Sequence, residues 1–249
     1  FIFPICTTAA DADGLIKFVD SRYEQTAALA RDLWEFAEVG YQEIKSSTLI
    51  KETLTAEGFE IDSGIAGIPT AFVATFGTGT GGAVIGILAE YDALPGINQD
   101  DVPIRSPIEN KTAGQACGHN LFGAGSVGAA IAVKHWLEET GTPGVIRLYG
   151  TPAEEGGSGK VYLVRNGAFD DVDVILHWHA GDQNWAGART TLANRSAKFR
   201  FRGISAHAAG APEKARSALD GVEAFNYMVN MMREHVPQET RIHYVITSG

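Results

Sequence analysis

Apolar and polar residues along this chain follow two periods, and the switches between them outline the elements. Leu15, Ile16, Val19, Tyr23, Ala27, Leu29, Ala30, Leu33 and Phe36 recur at helical spacing. This predicts one amphipathic helix over Asp13 to Val39, with Gly40 as its C-cap. Tyr41 to Glu57 repeats the pattern and Gly58 stops it. The period then shortens. Ala71 to Phe76 and the near-continuous apolar run Ala83 to Ala89 predict strands, the second buried on both faces. A polar, Pro-containing loop spans 96–113, and a small-residue helix is expected over about 120–139. Val145 to Tyr149 is the next strand, a short helix ends near Asn166, and Asp173 to His179 is a further buried strand. Strand, helix and strand in alternation predict an α/β fold: a mostly parallel central sheet flanked by helices.

From Thr191 the character changes. Ser196 to Arg202 alternates polar and apolar residues, as a half-exposed antiparallel strand does. Pro212 to Glu234 reads as a helix and Arg241 to Thr247 as another strand. Strand, helix and strand form the start of a small α+β domain.

The register of the first region concentrates chemistry on one rim. Asp92, Glu154, Glu155 and His179 fall at the C-terminal ends of predicted strands, and Cys117 and His119 lie where the 120–139 helix begins. In an open α/β sheet that edge binds ligands. A helix N-terminus favours negative charge, so Cys117 is expected to be held readily as thiolate. Thiolate and imidazole are metal ligands. The Pro152–Gly157 loop can turn the adjacent Glu154 and Glu155 apart, one towards a metal and one towards a water whose proton it takes and returns to a leaving amine. Each residue also has a plainer reading: Cys117 as a small buried hydrophobe, the glutamates as solvated loop residues, His177 as a core histidine, Asp92 as the start of a turn. Their coincidence on one rim favours the metal reading, with His179 preferred to His177 as ligand.

Composition narrows the partners. The formal net charge is −10 and no Lys/Arg block stands out, which argues against nucleic acid and anionic membrane. Cys6 and Cys117 make no disulfide framework, and no apolar run is long enough to span a bilayer. Phe1 to Ala10 reads as the tail of a signal peptide or as an arbitrary boundary. The expected location is cytoplasmic, or periplasmic or secreted on the signal-peptide reading.

Tyr91-Asp92-Ala93-Leu94-Pro95, Gly114-Gln115-Ala116-Cys117-Gly118-His119, Pro152-Ala153-Glu154-Glu155-Gly156-Gly157, Trp178-His179 and Gly203-Ile204-Ser205-Ala206-His207-Ala208-Ala209 stand in this order across nearly the whole chain. Together they resemble the metal-dependent aminoacylase and carboxypeptidase family, in the branch of the indole-acetyl-amino-acid and p-aminobenzoyl-glutamate hydrolases. The resemblance implies a metal-dependent hydrolase that cleaves the amide bond of small N-acyl or N-aroyl amino acids. It implies two divalent metal ions, Zn or Mn, on Cys117, His119, Glu155 and His179, with Glu154 as general base and acid. Asp92 would orient a ligand histidine, and His207 would reach a neighbouring subunit's site in a homodimer. Many relatives carry a histidine two positions before the aspartate; here Glu90 stands there. Arg189, Arg195 and Arg202 are candidates to meet a substrate carboxylate. The resemblance also implies a catalytic domain over 1–191, a small dimerisation domain begun over 192–249, and a returning C-terminal segment with one more histidine ligand. The chain is therefore expected to be the N-terminal part of a longer protein, weak in metal binding by itself. The alternative reading is a non-catalytic binding or assembly module.

Overall fold

A computed structural model describes residues 12–77, 81–187 and 190–249. The chain divides between Gln183 and Asn184 into two compact units. The expectation of a signal-peptide remnant falls on residues outside those described.

The first unit opens with α1 (Ala12–Ser21), α2 (Tyr23–Phe36) and α3 (Ile44–Ala56). The single helix expected over Asp13 to Val39 is thus two, broken at Arg22, whose guanidinium pairs with Glu57. Apolar spacing continues through the break, so periodicity alone does not register it. The second helix ends at Phe36 on a left-handed Ala37, whose N–H returns to Leu33 O at 3.2 Å. Gly40 is not the cap. It lies under Ala153, where a Cβ would stand 3.0 Å from the Ala153 Cα.

Then follow β1 (Glu60–Ser63), β2 (Phe72–Gly77), β3 (Val84–Ala89), β4 (Leu94–Pro95), β5 (Ala113–Gly114), α4 (His119–Thr140), β6 (Val145–Gly150), α5 (Glu154–Gly157), α6 (Gly159–Arg165) and β7 (Val174–Leu176). The main sheet has the order β1-β2-β6-β3-β7. β3 pairs in parallel with β6 and β7, and β2 runs antiparallel to both β6 and β1, so four of the five strands share one direction. The strands alternate their faces as a pleat requires. Ile87, Ala89, Ile146 and Leu148 face one core with Leu29, Leu33, Ile50 and Val127 of the helices. Leu88 and Tyr149 face a second with Phe122, Phe169 and Val172. β4 and β5 form a separate two-stranded sheet that pins the ends of the loop over residues 96–112.

The strand expected to be buried over Asp173 to His179 is shorter and exposed: Val174, Ile175 and Leu176 are 49, 40 and 54% accessible. It is an edge strand, paired on β3 alone, and an apolar run reports burial only if something covers it. Residues 177–180 leave the sheet.

Small residues bring α4 against the C-terminal end of β3. Ser126 Oγ donates to Leu88 O at 2.7 Å, and a Cβ on Gly123 would lie 2.7 Å from Glu90 O. Gly123→Ala is expected to cost about 1–3 kcal/mol through overpacking, read as a lower urea midpoint at unchanged slope.

In the second unit, α7 (Ala218–Met232) is capped by Ser217, whose Oγ accepts from Asp220 N at 3.0 Å. The helix expected from Pro212 therefore starts six residues later, after a single 3-10 turn at Pro212–Lys214. The strands expected over 196–202 and 241–247 form no hydrogen-bonded ladder among the described residues. Phe199 and Phe201 still reach Phe225, with ring centroids 4.7 and 5.9 Å away. Alternation specifies a face, and a strand needs a partner as well. No helix of the described residues is long and apolar enough to cross a membrane.

Candidate metal centre

Three connections leaving the C-terminal ends of β3, β6 and β7 meet at the start of α4. Gly118, in a left-handed conformation at φ 76°, is the residue before the helix, and its carbonyl accepts from Leu121 and Phe122 N–H at 3.0 Å. Gln115 Oε1 takes the Asn120 N–H at 3.2 Å. This turn places Cys117 half-buried at the rim and His119 fully buried below it.

His119 is held from one side by Asp92. Its Nδ1 lies 3.0 Å from both Asp92 Oδ1 and Asp92 O. A carbonyl can only accept, so Nδ1 carries a proton and Nε2 is the nitrogen turned to the rim. Asp92 Oδ2 accepts the Glu155 N–H at 2.8 Å, so one carboxylate ties the imidazole to the glutamate loop. His179 is fixed likewise: Nδ1 donates to Ala180 O at 2.9 Å, and Nε2 lies 3.4 Å from Cys117 Sγ. Donor atoms of Cys117, His119 and His179 lie within 4.8 Å of one another, as do those of Glu90, His119 and Glu154. Glu155 enters neither group but faces Cys117.

Glu90 is a buried carboxylate just past β3, in contact with Lys160. Its Oε2 lies 2.9 Å from His119 Nε2, close enough for charge attraction but misaligned for a hydrogen bond. Three buried polar atoms here thus lack a hydrogen-bond partner: Glu90 Oε2, His119 Nε2 and Glu155 Oε1. Such orphans are expensive unless something else satisfies them. An oxygen, nitrogen and thiol set with carboxylate support suits a divalent cation.

Burial opposes charge on His119, but Asp92 and Glu90 outweigh it and push its pKa up to about 10. Burial also opposes charge on Glu90, and contacts with His119, His177 and Lys160 overcome it to hold the carboxyl far below its usual range. Glu154, exposed at the rim, is raised by partial burial and by Glu90, against Lys160. Cys117 departs from expectation. Burial and the carboxylates of Glu155, Glu154 and Glu90 push its pKa up to about 12, so the acidic neighbours outweigh the helix N-terminus and no standing thiolate forms. A bound cation reverses that balance.

His177 lies 3.6 Å from Glu90 Oε1 and edge-on to Phe122, apart from both donor groups. His207 belongs to the second unit, where its Nδ1 accepts from Gly210 N at 2.9 Å and from Ala209 N at 3.2 Å, leaving Nε2 as a donor. Arg195 and Arg202 also lie in that unit, and Arg189 is outside the described residues. Lys160 and Glu43 had no signal in the pattern: both act through contacts with residues 70 to 110 positions away.

Comparison with known proteins places the chain in a family. The model of peptidase family M20/M25/M40 matches residues 86–243. The chain is 42% identical over 245 residues to one of the subunits of p-aminobenzoyl-glutamate hydrolase of Escherichia coli, covering 94% of this chain and 50% of that protein. It is 29% identical to Xaa-Arg dipeptidase of Mus musculus, over 93% of this chain and 52% of the relative. A dinuclear metal-binding M20 peptidase from Bacillus subtilis superposes with TM-score 0.57 at 26% identity, over 65% of this chain and 44% of that structure. The chain spans about half the length of the curated relatives it matches. The motifs around Asp92, Cys117, Glu154 and His179 thus stand on the fold they were expected to occupy, and the chain belongs to peptidase family M20/M25/M40.

Proposed function

We propose that this chain carries the cation-binding and proton-transfer groups of a metal-dependent hydrolase that cleaves the amide bond of N-acyl or N-aroyl amino acids, with p-aminobenzoyl-glutamate-like compounds as the substrate class. The observation that carries the reading is the meeting of two donor groups on one rim, Cys117 with His119 and His179, and Glu90 with His119 and Glu154, beside a buried Glu155 Oε1 that has no hydrogen-bond partner. Cys117, His119, Glu155 and His179 would hold two divalent ions, Zn or Mn. When bound, such ions supply Lewis acidity to the scissile carbonyl and lower the pKa of water.

The remaining work falls to the chain. Asp92 keeps the His119 proton on Nδ1 and the ring in place. Glu154 accepts a proton from the attacking water and returns it to the departing amine nitrogen; its raised pKa suits both directions of transfer. His207, with Nε2 as donor, would stabilise the oxyanion in a neighbouring subunit's site. The partner arrangement is a homodimer. The Escherichia coli relative is named as a subunit of its hydrolase, which supports a complex with an unlike chain as the second arrangement.

The test uses the full-length protein. Elemental analysis is expected to find about two equivalents of Zn or Mn per chain. Chelation is expected to abolish p-aminobenzoyl-glutamate hydrolysis, and added Zn or Mn to restore it. Hydrolysis at full rate in metal-stripped protein would sink the reading.

A further inference from the structure

We infer that Glu43 is a positioning residue for this reaction: from beneath the rim its carboxylate grips the Ala153 amide and so sets where Glu154 and Glu155 point. The inference rests on the hydrolase reading above.

Glu43 immediately precedes α3 but does not cap it. Glu38 does that, accepting from Ser46 N at 2.8 Å, Lys45 N at 3.0 Å and Ser46 Oγ at 2.9 Å. Glu43 instead turns inward and is fully buried. Its Oε1 accepts the Ala153 N–H at 2.8 Å and its Oε2 the Thr70 hydroxyl at 2.9 Å. No cation pairs with it among the described residues, and burial raises its pKa. A carboxylate buried on two neutral donors costs stability, and helix capping does not account for it.

What it holds is a forced turn. Ala153 has φ 57° and ψ 44°, a left-handed conformation that L residues adopt only under constraint. That turn sends Glu154 to the exposed rim and brings the Glu155 N–H onto Asp92 Oδ2. Gly40 leaves room beneath it, since a Cβ there would press on Ala153. Tyr41 secures the far end of the loop, its hydroxyl donating to Gly157 O at 2.7 Å. Ala93 N donates to Glu38 O at 2.8 Å, so residues 38–43 brace the Asp92 loop as well. The segment is a strut under both carboxylate-bearing loops, and Glu43 is its only charged contact with the Glu154 loop among the described residues.

Three variants of the full-length protein test this: Glu43→Gln, Glu43→Asp and Glu43→Met. Gln keeps the reach, with its carbonyl for Ala153 and its amide for the Thr70 hydroxyl. Asp keeps the charge but is one methylene short, and Met keeps only the volume. Gln is expected to retain kcat within about threefold. Asp and Met are expected to lose kcat by about 10- to 100-fold, at unchanged KM and metal content. If Met does not fold, the order of Gln above Asp decides alone. Asp at wild-type kcat, or metal loss in all three alike, overturns the inference and makes Glu43 a charge or a structural group. Glu154→Gln in the same assay separates the two claims: full activity there defeats the hydrolase reading itself, whatever Glu43 does.

Discussion

Glu154→Gln in the full-length protein is expected to lower kcat by about a hundred- to ten-thousand-fold while metal content and fold stay as they are. Glu154 is exposed at the rim, and its neighbours Glu90, Lys160 and His119 act on it through charge. Among the described residues no hydrogen bond or ion pair holds its carboxylate, and the buried oxygen without a hydrogen-bond partner belongs to Glu155. An amide of the same shape therefore removes the proton acceptor and little else. The split between kcat and metal content is the discriminating readout. Loss of metal together with activity would assign Glu154 as a ligand, and would exchange the roles of the two adjacent glutamates. Unchanged kcat would remove the general base from the proposal altogether.

Cys117→Ser is expected to weaken Zn2+ binding by about a hundredfold or more, and Mn2+ binding far less, because thiolate favours the softer ion. The thiol is half-buried, so serine fits without a cavity. Without a cation its pKa stands at about 12, held there by burial and by Glu155, Glu154 and Glu90. Binding must displace that proton, so affinity for Zn2+ is expected to rise with pH across the neutral range and this slope to flatten in the serine variant. Co2+ titration followed at the thiolate charge-transfer band checks both. A band of equal strength in wild type and Cys117→Ser would exclude Cys117 from the centre.

Much of this was legible because it is local. The near-continuous apolar run of β3 and the Val145–Tyr149 run of β6 read as strands, and the glycine-flanked stretch around Cys117 and His119 as a turn or the entry to a helix. Strand ends then put Asp92, the glutamate pair and His179 on one side, since a parallel sheet presents all its C-terminal ends together. Three misreadings share a cause. The break at Arg22, the exposure of β7 and the unpaired segments at 196–202 and 241–247 each depend on what lies alongside, which a period of 3.6 or 2 does not encode.

Most of the elements of the first unit, the family and the rim that gathers Asp92, Cys117, His119, Glu154 and His179 follow from the order of residues, because hydrophobic period and motif spacing are properties of consecutive positions. How those groups behave came with folding. Folding buried Glu90 and His119 side by side, kept the Cys117 thiol protonated among carboxylates, left three donor atoms without hydrogen-bond partners, and brought Glu43 beneath Ala153 across 110 positions. Burial and the approach of distant charges set pKa and orientation, and neither is written in the order of the chain until it folds.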